Sequence, residues 1–315
     1  MTTGRNDKMK KAAGTYGAVI LAMIFWSFSF IWFKIANEAF RPLTIVFIRL
    51  VLSVIILTTF LLLTKNLEKI RKKDRKLFLL LALFEPFFYF LGESFGLTYV
   101  SATVGSVLIS TIPVFAALGA WIIFGERLRT INYAGIILSF LGVLVFVLNR
   151  DGTLSFNIKG LVLLTIAVFS AVGYNLTLSR LVGMYSPVFI VNIQNIIGSI
   201  LFLPVFLFSD LNHLIYAPFS FRHFVPIVEL AVFASCGAFI LFASSVKKMG
   251  ITKANVFSNC IPIFTALFSF LLLSDRLTVQ NIIGMSIVIA GIFMSQMNGH
   301  KKIIDEASVL AGKTA

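Results

Sequence analysis

Long apolar runs separated by short polar breaks follow one another along almost the whole chain. A helix needs about 20 apolar residues to cross the hydrocarbon core of a bilayer, and ten runs have roughly that length. They cover residues 16–36, 43–64, 77–97, 104–124, 131–148, 160–181, 188–208, 224–246, 254–273 and 280–298. The pattern predicts an all-α polytopic membrane protein with ten transmembrane helices.

Composition supports the membrane class and excludes a nucleic-acid-binding domain. Hydrophobic residues make up 58% of the 315 residues and charged residues only 13%, which is far from the balance of a soluble globular domain. The net charge is +14, but the basic residues lie in the short breaks between apolar runs. Charge in that position is typical of membrane orientation, so no nucleic-acid partner is expected.

The distribution of Lys and Arg between the breaks predicts the orientation. An even number of spans places both termini on the same side of the membrane. If that side is the cytoplasm, the cytoplasmic segments hold 20 Lys and Arg residues and the outer segments hold 6, with Arg49 inside the second run. Because cytoplasmic loops are enriched in basic residues, we expect a multi-pass protein of the cytoplasmic membrane with both termini in the cytoplasm.

Two short motifs recur at one fixed distance along the chain. Ile-Pro-Val-Phe at 112–115 returns as Ile-Pro-Ile-Phe at 261–264, and Glu-Arg-Leu at 126–128 returns as Asp-Arg-Leu at 275–277, both at a shift of 149 residues. Several identities at one shift are hard to obtain by chance, so the chain contains an internal repeat.

The repeat divides the chain into halves 1–150 and 151–315, each with five predicted spans. Because five is odd, the second half enters the membrane from the opposite side, and the two repeats are inverted. Inverted repeats are typical of transporters that work by alternating access, with the substrate site near the middle of the membrane between the repeats. The alternative is a gene duplication that only builds a stable helix bundle.

Matched residues of the two halves predict local features of the helices. Pro113 and Pro262 are expected to kink or partly break the fourth and ninth spans beside the substrate site. Four glycines also occupy matched positions in the fifth and tenth spans, where small residues permit close helix packing. They are Gly135 and Gly142 with their counterparts Gly284 and Gly291.

The third apolar run, 77–97, contains Glu85 and Glu93. An ionisable group in hydrocarbon is costly and usually marks a functional site. Glu85 lies about 12 Å into the helix, close to the middle of a core about 30 Å thick, and Pro86 after it is expected to kink the helix. We therefore expect Glu85 to bind a substrate or a proton. The alternative is a neutral, hydrogen-bonded structural side chain.

Glu93 lies about 24 Å from the inner boundary, and Arg49 about 9 Å from the outer one, so the two can meet. An ion pair there would neutralise both charges and act as an outer gate. The alternative places the Arg49 side chain at the membrane interface, with its charge in the headgroup region. Tyr89 lies between the two acids at helical spacing and offers a hydroxyl group, although core packing would also explain it.

Other polar and aromatic residues within the runs are candidates for the substrate site. Aromatic side chains with a few hydrogen-bonding groups are the mixture expected of a small-molecule cavity. The candidates are Trp26 and Ser27 in the first run, Tyr174 and Asn175 in the sixth, and Gln194 in the seventh. Hydrogen bonds between helices would equally explain the buried amides.

Several stretches together resemble one known family. They are Trp-Ser-Phe-Ser-Phe at 26–30, Phe-Ile-Arg at 47–49, Gly-Leu-Thr-Tyr-Val-Ser-Ala at 96–102, Ile-Pro-Val-Phe at 112–115 and Gly-Glu-Arg-Leu at 125–128. The chain resembles the EamA-type branch of the drug/metabolite transporter superfamily over about 16–298. The resemblance implies ten helices around a central cavity and transport of small metabolites, often outward.

The second half departs from the family pattern. Gly-Glu at 125–126 becomes Ser-Asp at 274–275, and Arg49 is matched by Gln194. Glu85 and Glu93 have no acidic counterparts either. The two halves are therefore expected to play unequal roles.

These observations favour a secondary transporter that moves a small metabolite, an amino-acid-like compound or a drug, with export as the expected direction. A flippase for a lipid-linked intermediate is an alternative, and a membrane enzyme is a weaker one because no catalytic or nucleotide-binding motif is present. No cofactor and no metal are expected. The expected partners are a small-molecule substrate and the lipid bilayer, and a homodimer is left open.

Overall fold

A computed structural model describes residues 2–116, 130–147, 157–216, 220–274 and 278–296 of the chain, and all regular elements in these ranges are helices. In chain order we name them α1 (Thr2–Ala36), α2 (Pro42–Leu63), α3 (Lys72–Tyr99), α4 (Ala102–Ala116), α5 (Thr130–Val147), α6 (Ile158–Leu181), α7 (Pro187–Ser209), α8 (Phe221–Met249), α9 (Lys253–Leu272) and α10 (Val279–Gln296). A six-residue helix, Leu211–Tyr216, follows α7.

Seven of these helices are long and apolar enough to cross a membrane, namely α1, α2, α3, α6, α7, α8 and α9. The shorter apolar helices Ala102–Ala116, Thr130–Val145 and Val279–Ser295 fall on the remaining predicted runs. The chain is therefore a multi-pass membrane protein. The end of the fourth run (117–124) and the repeated motifs at 126–128 and 275–277 lie outside the described residues.

Local sequence explains where several helices begin and end. Pro42 and Pro187 occupy the first turns of α2 and α7, where a missing N–H costs no helical hydrogen bond. Gly250 follows α8 with φ = 84°, a left-handed conformation that suits glycine and lets the chain turn into the next helical segment.

Three helices are interrupted beside or near a proline. α3 is broken over Leu83–Phe88, which includes Pro86, and α9 contains the 3-10 turn Phe257–Cys260 just before Pro262. In α4 the regular helix Ala102–Ile109 gives way to a turn before Pro113. These interruptions free backbone groups and change the direction of the side chains around them.

The matched glycines bring α5 and α10 into direct backbone contact, as the sequence predicted. Gly135 faces the backbone of Gly291, and Gly142 faces the backbone of Gly284. A Cβ atom on Gly291 would lie only 2.7 Å from the carbonyl oxygen of Gly135. The closeness of these two helices therefore depends on the absence of side chains at the crossing.

We expect Gly291→Ala to lower the free energy of unfolding by about 1–3 kcal/mol, because the added methyl group must push α5 and α10 apart. The matched control is Gly17→Ala in α1, where an added Cβ has no atom within 4 Å. Thermal unfolding midpoints of both variants in detergent provide the test. A Gly291→Ala protein as stable as the Gly17→Ala protein would contradict the packing described here.

Candidate functional site

The break in α3 places Glu85 in a backbone conformation that a helix does not provide. Glu85 has φ = −146° and ψ = 119°, an extended conformation, because the residue before a proline is disfavoured in the α region and Pro86 itself has no N–H to donate. The hydroxyl group of Ser170 in α6 donates a hydrogen bond of 2.7 Å to the carbonyl oxygen of Phe84. The neighbouring helix thus satisfies a backbone group that lies at the break.

The broken segment of α3 packs against one glycine of α6 and one glycine of α7. The ring of Phe84 lies against Gly173 of α6, and the ring of Pro86 lies against Gly198 of α7. At either glycine, an added Cβ would overlap the ring. The position of Glu85 is therefore fixed by close contacts with two helices of the second half of the chain.

A cavity lies among α1, α2, α3, α4, α6, α8 and α9. It brings together most of the candidate site residues that are far apart in the sequence. Those that line it are Trp26, Arg49, Glu85, Tyr89, Glu93, Tyr174 and Asn175. Ser27 and Gln194, the other two candidates, do not line it.

The Glu85 side chain is 6% exposed, and its carboxylate has no hydrogen-bond or ion-pair partner among the residues that the structure describes. Buried carboxylates are normally paired or hydrogen-bonded, because an uncompensated charge away from water is costly. Since Glu85 lines the cavity, a cationic group or a proton bound there would supply the missing partner.

Glu93 lines the same cavity as Glu85 but has a direct partner of its own, and its assignment to an outer gate stays a prediction. The hydroxyl group of Tyr89 donates a 2.9 Å hydrogen bond to Oε1 of Glu93. The prediction assigned different roles to the two acids from their depth along the helix. Tyr89 thereby gives Glu93 a partner that Glu85 lacks.

Arg49 is buried, with 3% exposure, and its side-chain nitrogens lie more than 4 Å from the Glu93 carboxylate oxygens, so the predicted ion pair is not a direct contact. Its Nε donates to the hydroxyl oxygen of Ser235 at 2.9 Å, and its guanidinium carbon lies 4.2 Å from the centre of the Phe90 ring. Within the described ranges, the ion pairs closer than 4 Å are elsewhere, at the ends of helices. The alternative, a side chain in the headgroup region, does not agree with this burial, because Arg49 lines the cavity.

Ser27 and Gln194 lie close to the cavity but belong to the packing around it. The Ser27 hydroxyl oxygen is 2.7 Å from the carbonyl oxygen of Met23 and 3.2 Å from that of Ile261, so it links α1 to α9. Gln194 is fully buried beside the Tyr174 hydroxyl group, and within the described part of the chain neither side chain has a hydrogen-bond partner that meets the usual geometry.

Sequence reasoning missed the contribution of α9 to the cavity, which consists of Asn255, Ser258 and Ile261. The repeat offered a signal, because the shift of 149 residues carries Ile109 of α4 onto Ser258, and both line the cavity. The same shift carries Glu93 onto Phe242, which also lines it. Matched positions of the two halves thus face one cavity with different chemistry.

Taken together, the cavity offers a carboxylate without a partner, a buried guanidinium, a few amide and hydroxyl groups, and aromatic walls. This mixture of a few polar groups and apolar walls is typical of small-molecule sites. In the described part of the chain, no group of three or more His, Cys, Asp or Glu side chains is placed to hold a metal ion. The arrangement can bind a small molecule through charge and aromatic contact.

Comparison with known proteins agrees with this geometry. The model of the EamA-like transporter family matches the chain twice, over residues 14–148 and 158–297. An uncharacterized transporter of Archaeoglobus fulgidus is 27% identical over 280 residues, covering 87% of this chain and 95% of the relative. The uncharacterized transporter YcxC of Bacillus subtilis is 26% identical over 293 residues, covering 91% of this chain and 94% of the relative.

A solved crystal structure, described only as that of a protein, matches with a TM-score of 0.67 and covers 90% of this chain and 98% of its own. At 13% sequence identity this likeness shows the fold alone. The two family matches span most of the sequence and both halves of it. The chain therefore belongs to the EamA-like transporter family.

Proposed function

We propose that this protein is a secondary transporter of the cytoplasmic membrane that exports a small metabolite, an amino-acid-like compound or a drug. The observation that carries the proposal is the carboxylate of Glu85, which lines the cavity without a hydrogen-bond or ion-pair partner among the described residues. A group of that kind is expected where a transported cation or a coupling proton binds, because the bound group then supplies the direct contact that the carboxylate otherwise lacks.

The cavity lining suggests the chemistry of the solute. Glu85 fits an ammonium or other cationic group of the solute. Arg49, which carries the opposite charge, fits an anionic or polar group. The rings of Trp26, Phe239 and Phe242 fit an apolar or aromatic body. A small molecule with a cationic group and an apolar portion satisfies these features together.

The proposed architecture is a pair of inverted five-helix repeats, 1–150 and 151–315, with ten spans and both termini in the cytoplasm. The family model, which matches once in each half, supports this division. The glycine contacts support it further, because Gly135 faces Gly291 rather than its own counterpart Gly284. Two antiparallel copies related by a two-fold axis are expected to pair in that crossed manner.

In the proposed mechanism the two repeats rock around the cavity and expose it to one side of the membrane at a time. The sequence has no nucleotide-binding loop that would indicate intrinsic ATP drive. We therefore propose that a proton gradient or solute exchange drives transport, with Glu85 carrying either the proton or the cationic group of the solute. If the proton and the solute bind to this carboxylate in turn, proton movement in one direction drives solute movement in the other.

The test is transport by the purified protein in proteoliposomes, using a panel of radiolabelled amino acids, amines and other small metabolites, with and without a pH gradient. We expect protein-dependent counterflow of at least one water-soluble cationic or zwitterionic solute. Folded protein that moves none of them above empty liposomes, but translocates a lipid-linked compound, would overturn the proposal in favour of a flippase.

A further inference from the structure

α2 and α7 form an antiparallel pair that is joined along its length. The rings of Phe47 and Phe206 stack with their centres 4.6 Å apart, and the hydroxyl group of Thr58 lies 3.2 Å from Oδ1 of Asn192. The start of each helix therefore lies beside the end of the other. In the proposed architecture, α2 and α7 are corresponding helices of the two repeats.

At one end of the pair, an acid that follows α7 caps the start of α2. The residue before α2 is Arg41, whose side chain makes no capping hydrogen bond. Asp210 takes over this task, because its Oδ2 accepts from the backbone N–H of Thr44 at 3.1 Å and lies 3.3 Å from the Thr44 hydroxyl oxygen. Arg41 Nη1 lies 3.9 Å from the other oxygen of this buried carboxylate. We call these contacts the Asp210 clasp.

At the other end, an acid that follows α2 caps the start of α7. Oε1 of Glu68 accepts from the backbone N–H of Ser186, the residue before α7, at 2.8 Å. In an ordinary capping box, the acid that reaches back to this N–H comes from the same helix, three residues further on. Here it comes from the connection that follows the other helix of the pair. We call this contact the Glu68 clasp.

Hydrogen bonds next to Ser186 reinforce the second end. The hydroxyl group of Tyr185 donates to Asp74 Oδ2 at 2.8 Å and accepts from the backbone N–H of Arg71 at 3.1 Å. Lys247 of α8 lies 3.3 Å from the carbonyl oxygen of Tyr185. Burial is the main cause that raises the pKa of the Tyr185 hydroxyl group, so it remains a hydrogen-bond donor at physiological pH.

We propose that Glu68 and Asp210 are positioning residues for transport, which hold the two ends of the α2–α7 pair closed and release one end at a time. The proposal rests on the alternating access of the proposed function. Each carboxylate comes from one half of the chain and sits at the positive end of a helix dipole in the other half, so separating the helices at that end breaks the contact. Both clasps are formed in this structure, so neither end of the pair is open.

Accessibility of the cavity from each side of the membrane tests this proposal without any need for the solute. The background protein has Cys236→Ala and Cys260→Ala, which remove both cysteines, and Ser258→Cys then places a single reporter in the cavity. A membrane-impermeant maleimide is added to right-side-out or inside-out vesicles, and the ratio of the two labelling rates is measured.

Glu68→Ala is expected to raise labelling from the cytoplasmic side, where the proposed topology puts Glu68, and Asp210→Ala from the outer side. The expected shift in the ratio is on the order of fivefold, the effect of losing one helix cap. Glu68→Gln and Asp210→Asn keep an acceptor oxygen and are expected to shift the ratio less. The control Glu38→Ala, which removes an exposed acid paired with His223, should leave the ratio unchanged.

The double variant Glu68→Ala with Asp210→Ala separates gating from stability. If the clasps oppose each other, its labelling ratio returns to that of the background protein, whereas losses of thermal stability accumulate. Shifts in the same direction, or no shift in any variant including the Gln and Asn forms, would overturn the proposal.

A reporter labelled from both sides in the background protein, but unaffected by the variants, would refute the clasps and leave alternating access intact. A reporter that only one side ever labels would refute both.

Discussion

Glu85→Gln is expected to abolish gradient-driven transport while leaving the protein folded. Glutamine has nearly the same shape as glutamate, and the Glu85 carboxylate has no described hydrogen bond that the substitution would break. A carboxamide can neither carry a proton nor balance a cation. We expect the affinity for a cationic solute to fall on the order of tenfold to a hundredfold, the effect of losing one charge-assisted contact.

The measurement is initial uptake and counterflow in proteoliposomes, with the amount of folded protein normalised by size-exclusion chromatography. Glu38→Gln is the matched control, because it changes an acid of the same type that lies outside the cavity lining. Wild-type rates and unchanged pH dependence in the Glu85→Gln protein would show that this carboxylate has no part in transport.

Arg49→Met is expected to lower the free energy of unfolding by about 3–5 kcal/mol, the cost of leaving a buried charge without its compensation. The substitution removes the hydrogen bond to Ser235 and the contact with the Phe90 ring. It also leaves Glu85 and Glu93 without the guanidinium group that lines the cavity with them. Arg49→Lys keeps the charge but loses the planar geometry, so we expect it to recover only part of the stability.

A double-mutant cycle with Glu93→Gln measures how far the two charges depend on each other. Since both line the same cavity, removing the acid should restore part of the stability that Arg49→Met loses. The measurement is the unfolding free energy of the four proteins in detergent. Effects that add to within about 0.5 kcal/mol would mean that the charges do not interact across the cavity.

Most of the helical organisation could be predicted from the sequence, because membrane spans are defined by length and hydrophobicity alone. The helix ends were harder. The third run was predicted from residue 77, but α3 begins at Lys72, since hydropathy detects the apolar part of a helix and not its polar first turn. Similarly, the break at Glu85 follows from Pro86. The space for the rings of Phe84 and Pro86 depends on Gly173 of α6 and Gly198 of α7, which the sequence did not identify.

The charged and aromatic residues of the site could be predicted from the sequence, but the contacts between their side chains could not. Charged and aromatic residues inside apolar runs identified Glu85, Arg49 and Trp26, all of which line the cavity. The partner of Arg49 depends on side-chain directions that a depth along a straight helix does not give, and Ser235 had no sequence signal of its own. Gln194 does not line the cavity, and the polarity of a residue within an apolar run does not tell how its helix is rotated.

In the proposed function, the transported solute occupies the cavity beside Glu85. Substrate protection of the Ser258→Cys reporter, in the protein without Cys236 and Cys260, tests it most directly. We predict that the solute found in the counterflow screen slows maleimide labelling at position 258, with half-protection at the concentration that half-saturates transport. A reporter at Thr64, exposed at the end of α2, should be labelled at the same rate with and without solute. Labelling at position 258 that saturating solute leaves unchanged would contradict the account.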